Sequence, residues 1–365
     1  MPALTKAQKK LAQAAEDSFN RTYAAQFGEE RWQQSLYPAL TAPTRYAALT
    51  NRFAGADLEK VFSPEQAAKM QAVIFPGTAE PDDPAAPLKA YQWDASEADA
   101  TFPPPQPDPA SGLMTHWNLD AASLLAVKIL APQPGDKVLD LCAAPGGKSV
   151  ALAQLLRPPP PADSNAAAAS LDGGCLHSNE VNPARHKRLA ANLASYLPAS
   201  LFASGEVKVL RLDGTDPSAA ARALPLGMGG YDKVLLDAPC SSERHVVHAR
   251  ETGAWRSGRA GKGAKVQAAL LMTALRAVRV GGRVLYATCA LGREENDGVV
   301  ERGVGVVVKE RRKGGARWDL AVRSGELAVE GWAERTRFGW LVLPDHPSGG
   351  KWGPLFFALL EKVEA

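Results

Sequence analysis

One stretch constrains the fold more than any other: Val138-Leu139-Asp140-Leu141-Cys142-Ala143-Ala144-Pro145-Gly146-Gly147-Lys148. Residues 137–142 form a short apolar run, the glycines make a turn, and residues 149–156 read as a helix. A strand that runs into a glycine turn opening a helix is the corner at which open α/β sheets hold nucleotide-like ligands. Glycine lets a backbone come close to a ligand, and a helix N-terminus favours a carboxylate or phosphate. A plain strand–turn–helix corner would carry the same pattern. The stretch is neither the G-x-G-x-x-G dinucleotide signature nor a P-loop.

The alternation continues along the chain. Runs at 176–180, 207–212, 234–237 and 283–288 read as strands, with helices at 183–196 and 266–278. This pattern predicts a mostly parallel sheet with helices on both faces. Runs at 339–344 and 353–360 predict an antiparallel closing pair. The expected fold is α/β and Rossmann-like, with an N-terminal helical extension over 1–75 in which Phe19, Tyr23 and Phe27 recur every four residues. Residues 76–112, rich in proline and acids, read as a linker or arm. The main domain is expected over 113–365, its first helix capped by Asp120. Within it, 157–174 reads as a low-complexity loop insertion, and 303–335 fits neither pattern.

Composition removes several classes. Of 365 residues, 45% are hydrophobic and 22% charged, enough apolar material for a full core. No run approaches the roughly 18 apolar residues of a membrane span, so no membrane partner is expected. A net charge of +3 is too weak alone to mark a nucleic-acid binder. Cys142, Cys175, Cys240 and Cys289 include no C-x-x-C pair, which points to a reducing compartment and to individual thiols. Lys6, Lys9 and Lys10 lie in a start that resembles neither a signal peptide nor a transit leader.

Chemistry-bearing residues fall at successive strand ends. Glu180 is placed to accept two ribose hydroxyls, and Asp213-Gly214 to take an adenine amino group. Alone, the first is an ordinary strand-end acid and the second a turn. Asp237-Ala238-Pro239-Cys240 ends the next strand, and Thr288-Cys289 the one after Gly281-Gly282. A lone cysteine is usually a small buried hydrophobe. A thiol among a carboxylate, basic residues and loop backbone can instead be an activated nucleophile.

Together these motifs resemble the Sun-domain (Fmu/Nop-type) RNA 5-methylcytosine methyltransferases, which use S-adenosylmethionine. Leu141-Cys142-Ala143-Ala144-Pro145-Gly146-Gly147-Lys148 matches their cofactor motif; Asp237-Ala238-Pro239-Cys240-Ser241 and Thr288-Cys289 match their two cysteine motifs. Glu295-Asn296-Asp297 with Val299-Val300 is similar to the helix that follows. The likeness covers 113–302 and Gly353-Pro354-Leu355-Phe356-Phe357. Asp17-Ser18-Phe19, Gln26-Phe27-Gly28, residues 45–53 and Glu243-Arg244-His245 are nearer the mitochondrial ribosomal-RNA branch. Three features depart from the family: Glu180 where Asp is usual, the 157–174 insertion, and residues 303–335.

The resemblance implies a class I S-adenosylmethionine-dependent methyltransferase fold and a covalent mechanism. Cys289 would add to carbon 6 of cytosine, Cys240 would assist release of the adduct, and Asp237 would hydrogen-bond or protonate the ring nitrogen. Cys142, Ala143, Ala144, Pro145, Gly146, Gly147, Lys148, Glu180, Arg185, Asp213, Gly214 and Asp237 would line the cofactor. The implied substrate is RNA, ribosomal RNA first, with transfer RNA as the alternative and a mitochondrial location. A recruiting protein or ribosomal assembly intermediate is an expected partner, and no metal is expected. Arg244, Arg250, Arg256, Arg259, Lys262 and Lys265 form one candidate phosphate-contacting surface; Lys309, Arg311, Arg312, Lys313 and Arg317 form another. Either could equally be a solvated charge run. His245 is expected to orient the loop or the RNA. Two competing classes remain: a DNA cytosine methyltransferase, disfavoured by Thr288-Cys289, and a catalytically dead assembly factor, disfavoured by the presence of Cys289 and Asp237.

Overall fold

The computed structural model describes residues 5–55, 58–75, 88–94, 102–157, 170–219, 221, 229–255, 258–347 and 351–365. Helix α1 (Lys6–Phe27) opens at Thr5, whose hydroxyl accepts from Gln8 N while the Gln8 side chain accepts from Thr5 N. Such reciprocal capping satisfies two donors that a helix start leaves open. Phe19 and Tyr23 are buried on one face of α1, against Trp32 and Trp255.

The next segment departs from expectation. Strands β1 (Tyr46–Thr50), β2 (Met70–Ala72), β3 (Ala90–Trp93) and β4 (His116–Asp120) form an antiparallel sheet in the order β2-β3-β1-β4. So residues 1–75 are not helical throughout, and 76–112 contains a paired strand. Strands of three to five residues give alternation too short to read, and β3 lies in a stretch whose composition is set by proline and acids. What buries them is aromatic: Trp93 stacks on Phe102 with ring centres 4.2 Å apart, and Phe62 packs against both. The parts of the 76–112 and 157–174 segments at 76–87, 95–101 and 158–169 lie outside the described residues.

Helix α2 (Ala121–Leu130) begins at Asp120, which accepts from Ala122 N at 2.8 Å. A cap of this kind is worth about 1 kcal/mol. Strands β5 (Lys137–Asp140), β6 (Cys175–Asn179), β7 (Val207–Leu210), β8 (Tyr231–Asp237) and β9 (Val278–Thr288) then alternate with α3 (Gly147–Leu156), α4 (Pro183–Tyr196), the short α5 (Glu243–His248) and α6 (Gly258–Ala277). Helix α7 (Asp297–Arg312) precedes β10 (Trp318–Val322), β11 (Glu334–Arg335), β12 (Trp340–Val342) and β13 (Leu355–Glu364). Residues 303–335 therefore complete a helix and add an antiparallel edge strand, β10, along β13.

The main sheet runs β11-β12-β13-β9-β8-β5-β6-β7. β5 to β9 pair in parallel, while β13 is antiparallel to β9 and β12 to β13. This is the α/β architecture expected, with its closing antiparallel pair. Strand order reverses at β5: the chain builds outward through β6 and β7, then returns to β8 on the other side. The crevice at such a reversal, beyond the carboxyl ends of the strands, is where open α/β sheets bind ligands. Among the described residues no helix is long and apolar enough to cross a membrane.

Candidate active site

The carboxyl ends of β8 and β9 bring Cys240 and Cys289 together, with their sulfurs 3.1 Å apart. Cys289 is exposed and Cys240 half-buried. Ser242 Oγ lies 3.1 Å from the Cys289 sulfur and 3.5 Å from that of Cys240. Ser242 reaches this place in the left-handed region, φ +53°, a conformation that costs a non-glycine residue about 1–2 kcal/mol. Such strain persists where surrounding structure over-determines it, often at a functional site.

The two thiols are not equivalent. The hydrogen bond from Cys240, helped by Ser242 and opposed by burial, holds the Cys289 thiol below its ordinary range. The same hydrogen bond, with burial and the charge of Cys289, pushes Cys240 well above it. Cys289 is therefore the more readily ionised sulfur, and Cys240 the proton donor to it. Behind them, Thr288 Oγ1 donates to Asn296 Oδ1, and Asn296 Nδ2 donates to Ala290 O at 2.9 Å, so the Cys289 loop is tied down on both sides.

The glycine turn after β5 forms the wall of a cavity of about 100 Å³, lined by Trp117, Ser123, Asp140, Cys142, Lys148 and Asp237 among others. Lys148 Nζ donates to Asp237 Oδ2 at 2.7 Å and to Ser123 Oγ at 3.0 Å. Burial opposes the Lys148 charge, but the Asp237 carboxylate and its hydrogen bond outweigh that and raise the ammonium above its usual range. Asp140 is buried; its Oδ2 accepts from Ser149 at 2.7 Å, while its Oδ1 has no partner. Burial, reinforced by the Asp237 charge and opposed by the Ser149 hydrogen bond, pushes this carboxyl up to about 7. Burial likewise keeps Cys142 protonated, which makes it a lining group rather than a nucleophile. A larger cleft of about 680 Å³ runs beside α7, past Arg31, Arg293 and Arg335, and holds none of these groups.

These residues suit S-adenosylmethionine. The ligand is zwitterionic at its amino-acid end, and an orphaned buried carboxylate oxygen is a ready acceptor for an ammonium. No side chain fits at the turn: a Cβ on Gly147 would stand 2.7 Å from Trp117 Nε1, and Gly146 has φ +120°.

The remaining expected cofactor residues lie along the same edge. Glu180 is buried, and Asn182 N and Arg185 Nη2 both donate to its Oε1, at 2.8 and 3.0 Å. Arg185 thus holds Glu180. Asp213 is exposed, its Oδ1 accepting from Thr215 N and Oγ1, which lowers its carboxyl below the usual range. Gly214 is buried, and a Cβ there would meet the end of the Leu270 side chain at 2.7 Å, so a larger residue would have to move that leucine. Sequence reasoning missed Asn179, which joins three strand ends: Nδ2 donates to Leu141 O and Leu212 O, and Oδ1 accepts from Leu212 N. It also missed Ser242 and Trp117. Ser242 lies two residues after Cys240, a signal that was present; Trp117 comes from β4, a partner no local pattern announces.

The expected phosphate surface is partly corrected. Arg244 is buried, and its guanidinium donates to the carbonyls of Lys351, Gly353, Ala42 and Pro43. It braces loops rather than meeting phosphate. Arg250, Lys262 and Lys265 are exposed; Arg256 and the Arg259 side chain lie outside the described residues. Lys309, Arg311 and Arg312 form the last turn of α7, where cations offset the partial negative charge of the helix end, and Arg311 also pairs with Asp319. His248 Nε2 lies 3.0 Å from Ala42 O, and His245 is exposed.

The family model described as 16S rRNA methyltransferase RsmB/F matches residues 127–305. The chain is 31% identical to the mitochondrial tRNA (cytosine(34)-C(5))-methyltransferase of Danio rerio over 99% of its own length and 90% of that protein. It is 31% identical to 5-cytosine rRNA methyltransferase NSUN4 of Mus musculus over 84% of its length and 78% of the relative. It superposes with a TM-score of 0.62 on a methyltransferase homolog from Pyrococcus horikoshii, 19% identical, covering 99% of this chain and 100% of that one. NSun6 of the same organism superposes at 0.61, with 17% identity and 95% and 98% coverage. Fold, paired thiols and sequence relatives agree: the chain belongs to the RsmB/F family of S-adenosylmethionine-dependent RNA cytosine-5 methyltransferases.

Proposed function

We propose that this enzyme methylates carbon 5 of a cytosine in mitochondrial ribosomal RNA through a covalent adduct at Cys289. The observation that carries the mechanism is the pair of sulfurs 3.1 Å apart, with the exposed one held below its ordinary thiol range. Carbon 5 of cytosine is a poor nucleophile until a thiolate adds to carbon 6. Cys289 makes that bond while ring nitrogen 3 takes a proton held between Asp237 and Lys148. Gly146, Gly147, Asp140, Glu180, Arg185 and Asp213 hold the cofactor, which supplies an electrophilic methyl group when bound. With Cys289 bonded to carbon 6, the hydrogen bond and charge that kept Cys240 protonated are gone, so Cys240 releases its proton to water and its thiolate takes the carbon 5 proton. The bond from Sγ to carbon 6 breaks to return the Cys289 thiolate, and nitrogen 3 gives its proton back to the Asp237–Lys148 pair. The base must leave any stack to reach the exposed sulfur.

Relatives bearing the NSUN4 name from Mus musculus and Bos taurus, described as rRNA methyltransferases, support the ribosomal substrate. A second reading, transfer RNA, is favoured by the Danio rerio relative, which matches 99% of this chain. Mitochondrial names among these relatives support the organelle. Arg244, four residues after Cys240, is spent on backbone carbonyls rather than free for phosphate, which supports presentation of the RNA by a recruiting protein or assembly intermediate. Bisulfite mapping of organellar and cytosolic RNA after loss of the protein tests the reading. Loss of one methylcytosine from mitochondrial ribosomal RNA is expected. Loss from transfer RNA instead would select the second reading, and no change in either would overturn both.

A further inference from the structure

We propose that Glu243 and Glu295 share one buried proton through Ser241, and that this pair positions the two cysteine loops from behind. The inference rests on the reading that Cys289 and Cys240 do the chemistry. Both carboxyl groups are buried, at 1% exposure each. Ser241 Oγ touches Glu243 Oε1 and Glu295 Oε2 at once. A hydroxyl has one hydrogen and can donate to one of them. The other contact closes only when that carboxyl carries a proton and donates to Ser241.

Donor counting assigns the proton. Glu243 also receives Tyr23 Oη at 2.8 Å and Leu291 N at 2.9 Å, so with Ser241 three donors converge on it, as suits a carboxylate. Glu295 receives Gln267 Nε2 at 2.9 Å on Oε1 and a longer bond from Ser241 N at 3.3 Å on Oε2. Glu295 is therefore the neutral donor; burial first, then the Glu243 charge, raise its carboxyl in support. Among the described residues no lysine or arginine pairs with either group. Two unpaired buried carboxylates would be costly, and one shared proton removes half of that charge.

The arrangement crosses the two loops reciprocally. Glu243 follows Cys240 in the chain yet holds Leu291, two residues beyond Cys289. Glu295 follows Cys289 yet holds Ser241, next to Cys240. Gln267 spans them again, donating to Pro239 O as well as to Glu295. Gly263 leaves the room this needs, since a Cβ there would lie 2.7 Å from Glu295 Oε1. The groups that feel the pair are Tyr23 of α1, Tyr286 of β9 and both thiols, while Glu294 also acts on Tyr23 and Asp237 on Tyr286. Loss of the proton would place a second negative charge behind the sulfurs and leave two acceptors competing for one Ser241 hydrogen.

The test compares E295Q, E295A and E243Q in the full chain. Iodoacetamide labelling of Cys289 against pH, read by peptide mass, needs neither RNA nor cofactor. Glutamine at 295 keeps a donor for Ser241 and an acceptor for Gln267, so E295Q should restore what E295A loses. Glutamine at 243 turns a donor toward other donors, and labelling should fall about tenfold, as for an unmade buried hydrogen bond. A raised carboxyl binds its proton more tightly folded than unfolded. Wild-type stability should therefore decline as pH climbs from the unfolded carboxyl value through the folded one, a decline that E295Q should make shallower, the share due to raised Asp140 remaining. E295Q as slow as E295A, E243Q tolerated where E295Q is not, or an unchanged stability slope in E295Q would each overturn the proposal. If E243Q does not fold, the two Glu295 variants decide. Labelling that follows the expected pattern in an enzyme unable to methylate any RNA would leave the shared proton standing and remove the functional reading instead.

Discussion

At the scale of single residues the two sulfurs should be separable by what they trap. Cys289→Ser should lose methylation and form no adduct, because a hydroxyl is far less ionised than a thiol at neutral pH. Cys240→Ser should still attack, since Cys289 and its Ser242 neighbour remain, but release poorly. A denaturation-resistant protein–RNA band should then accumulate on a gel run with radiolabelled RNA and S-adenosylmethionine. A band from Cys289→Ser alone would exchange the two roles. Cys240→Ala, which removes the hydrogen bond that serine would keep, should raise the Cys289 thiol, so its attack should slow most near neutral pH and recover as pH rises. Both cysteines were legible in the sequence because each ends a strand in a specific motif. Their inequality was not, because it arises from a 3.1 Å contact between loops 49 residues apart.

At the scale of elements, the helix α3 start shows what sequence could and could not reveal. Its two glycines mark a ligand turn, yet the reason Gly147 lacks a side chain is the indole of Trp117 packed over it. Trp117 belongs to β4, set opposite Leu49 of β1, so the steric partner is an element that the sequence shows only as the approach to the helix capped by Asp120. The parallel strands were legible because each is an apolar run bounded by a turn; β1 to β3 were not, because three to five residues carry no period and their burial comes from distant aromatics. Gly147→Val should accordingly displace Trp117 before it touches any ligand. Overpacking of this kind costs about 1–3 kcal/mol, so the fold should survive at a lower melting temperature while calorimetry finds no cofactor binding. Unchanged affinity in a folded variant would remove the turn from the cofactor site.

Across the whole molecule the reacting groups rest on two separate supports. The thiol loops lean on α1: Tyr23 donates to Glu243 and Gln26 Nε2 to Leu291 O at 2.7 Å, while Arg31, held by Asp345 and Glu334, anchors the segment after α1 to the far edge of the sheet. The cofactor turn leans on the small antiparallel sheet, through Trp117 against Gly147 and Tyr196, and through α4, whose Asn192 donates to Pro145 O at 2.8 Å. Two supports with no shared residue should fail independently, since sites without common partners respond additively. Tyr23→Phe combined with Gln26→Ala should slow labelling of Cys289 about tenfold, the scale of lost hydrogen bonds to a charged group, with cofactor affinity unmoved. Trp117→Ala should do the reverse, weakening S-adenosylmethionine about tenfold, or some 1.4 kcal/mol, while Cys289 labels at the wild-type rate. The pair of assays, thiol labelling and calorimetry on the same two proteins, gives four numbers. If either variant moved both readouts together, the N-terminal helix and the small sheet would be one brace rather than two, and the thiols would feel the cofactor turn through it.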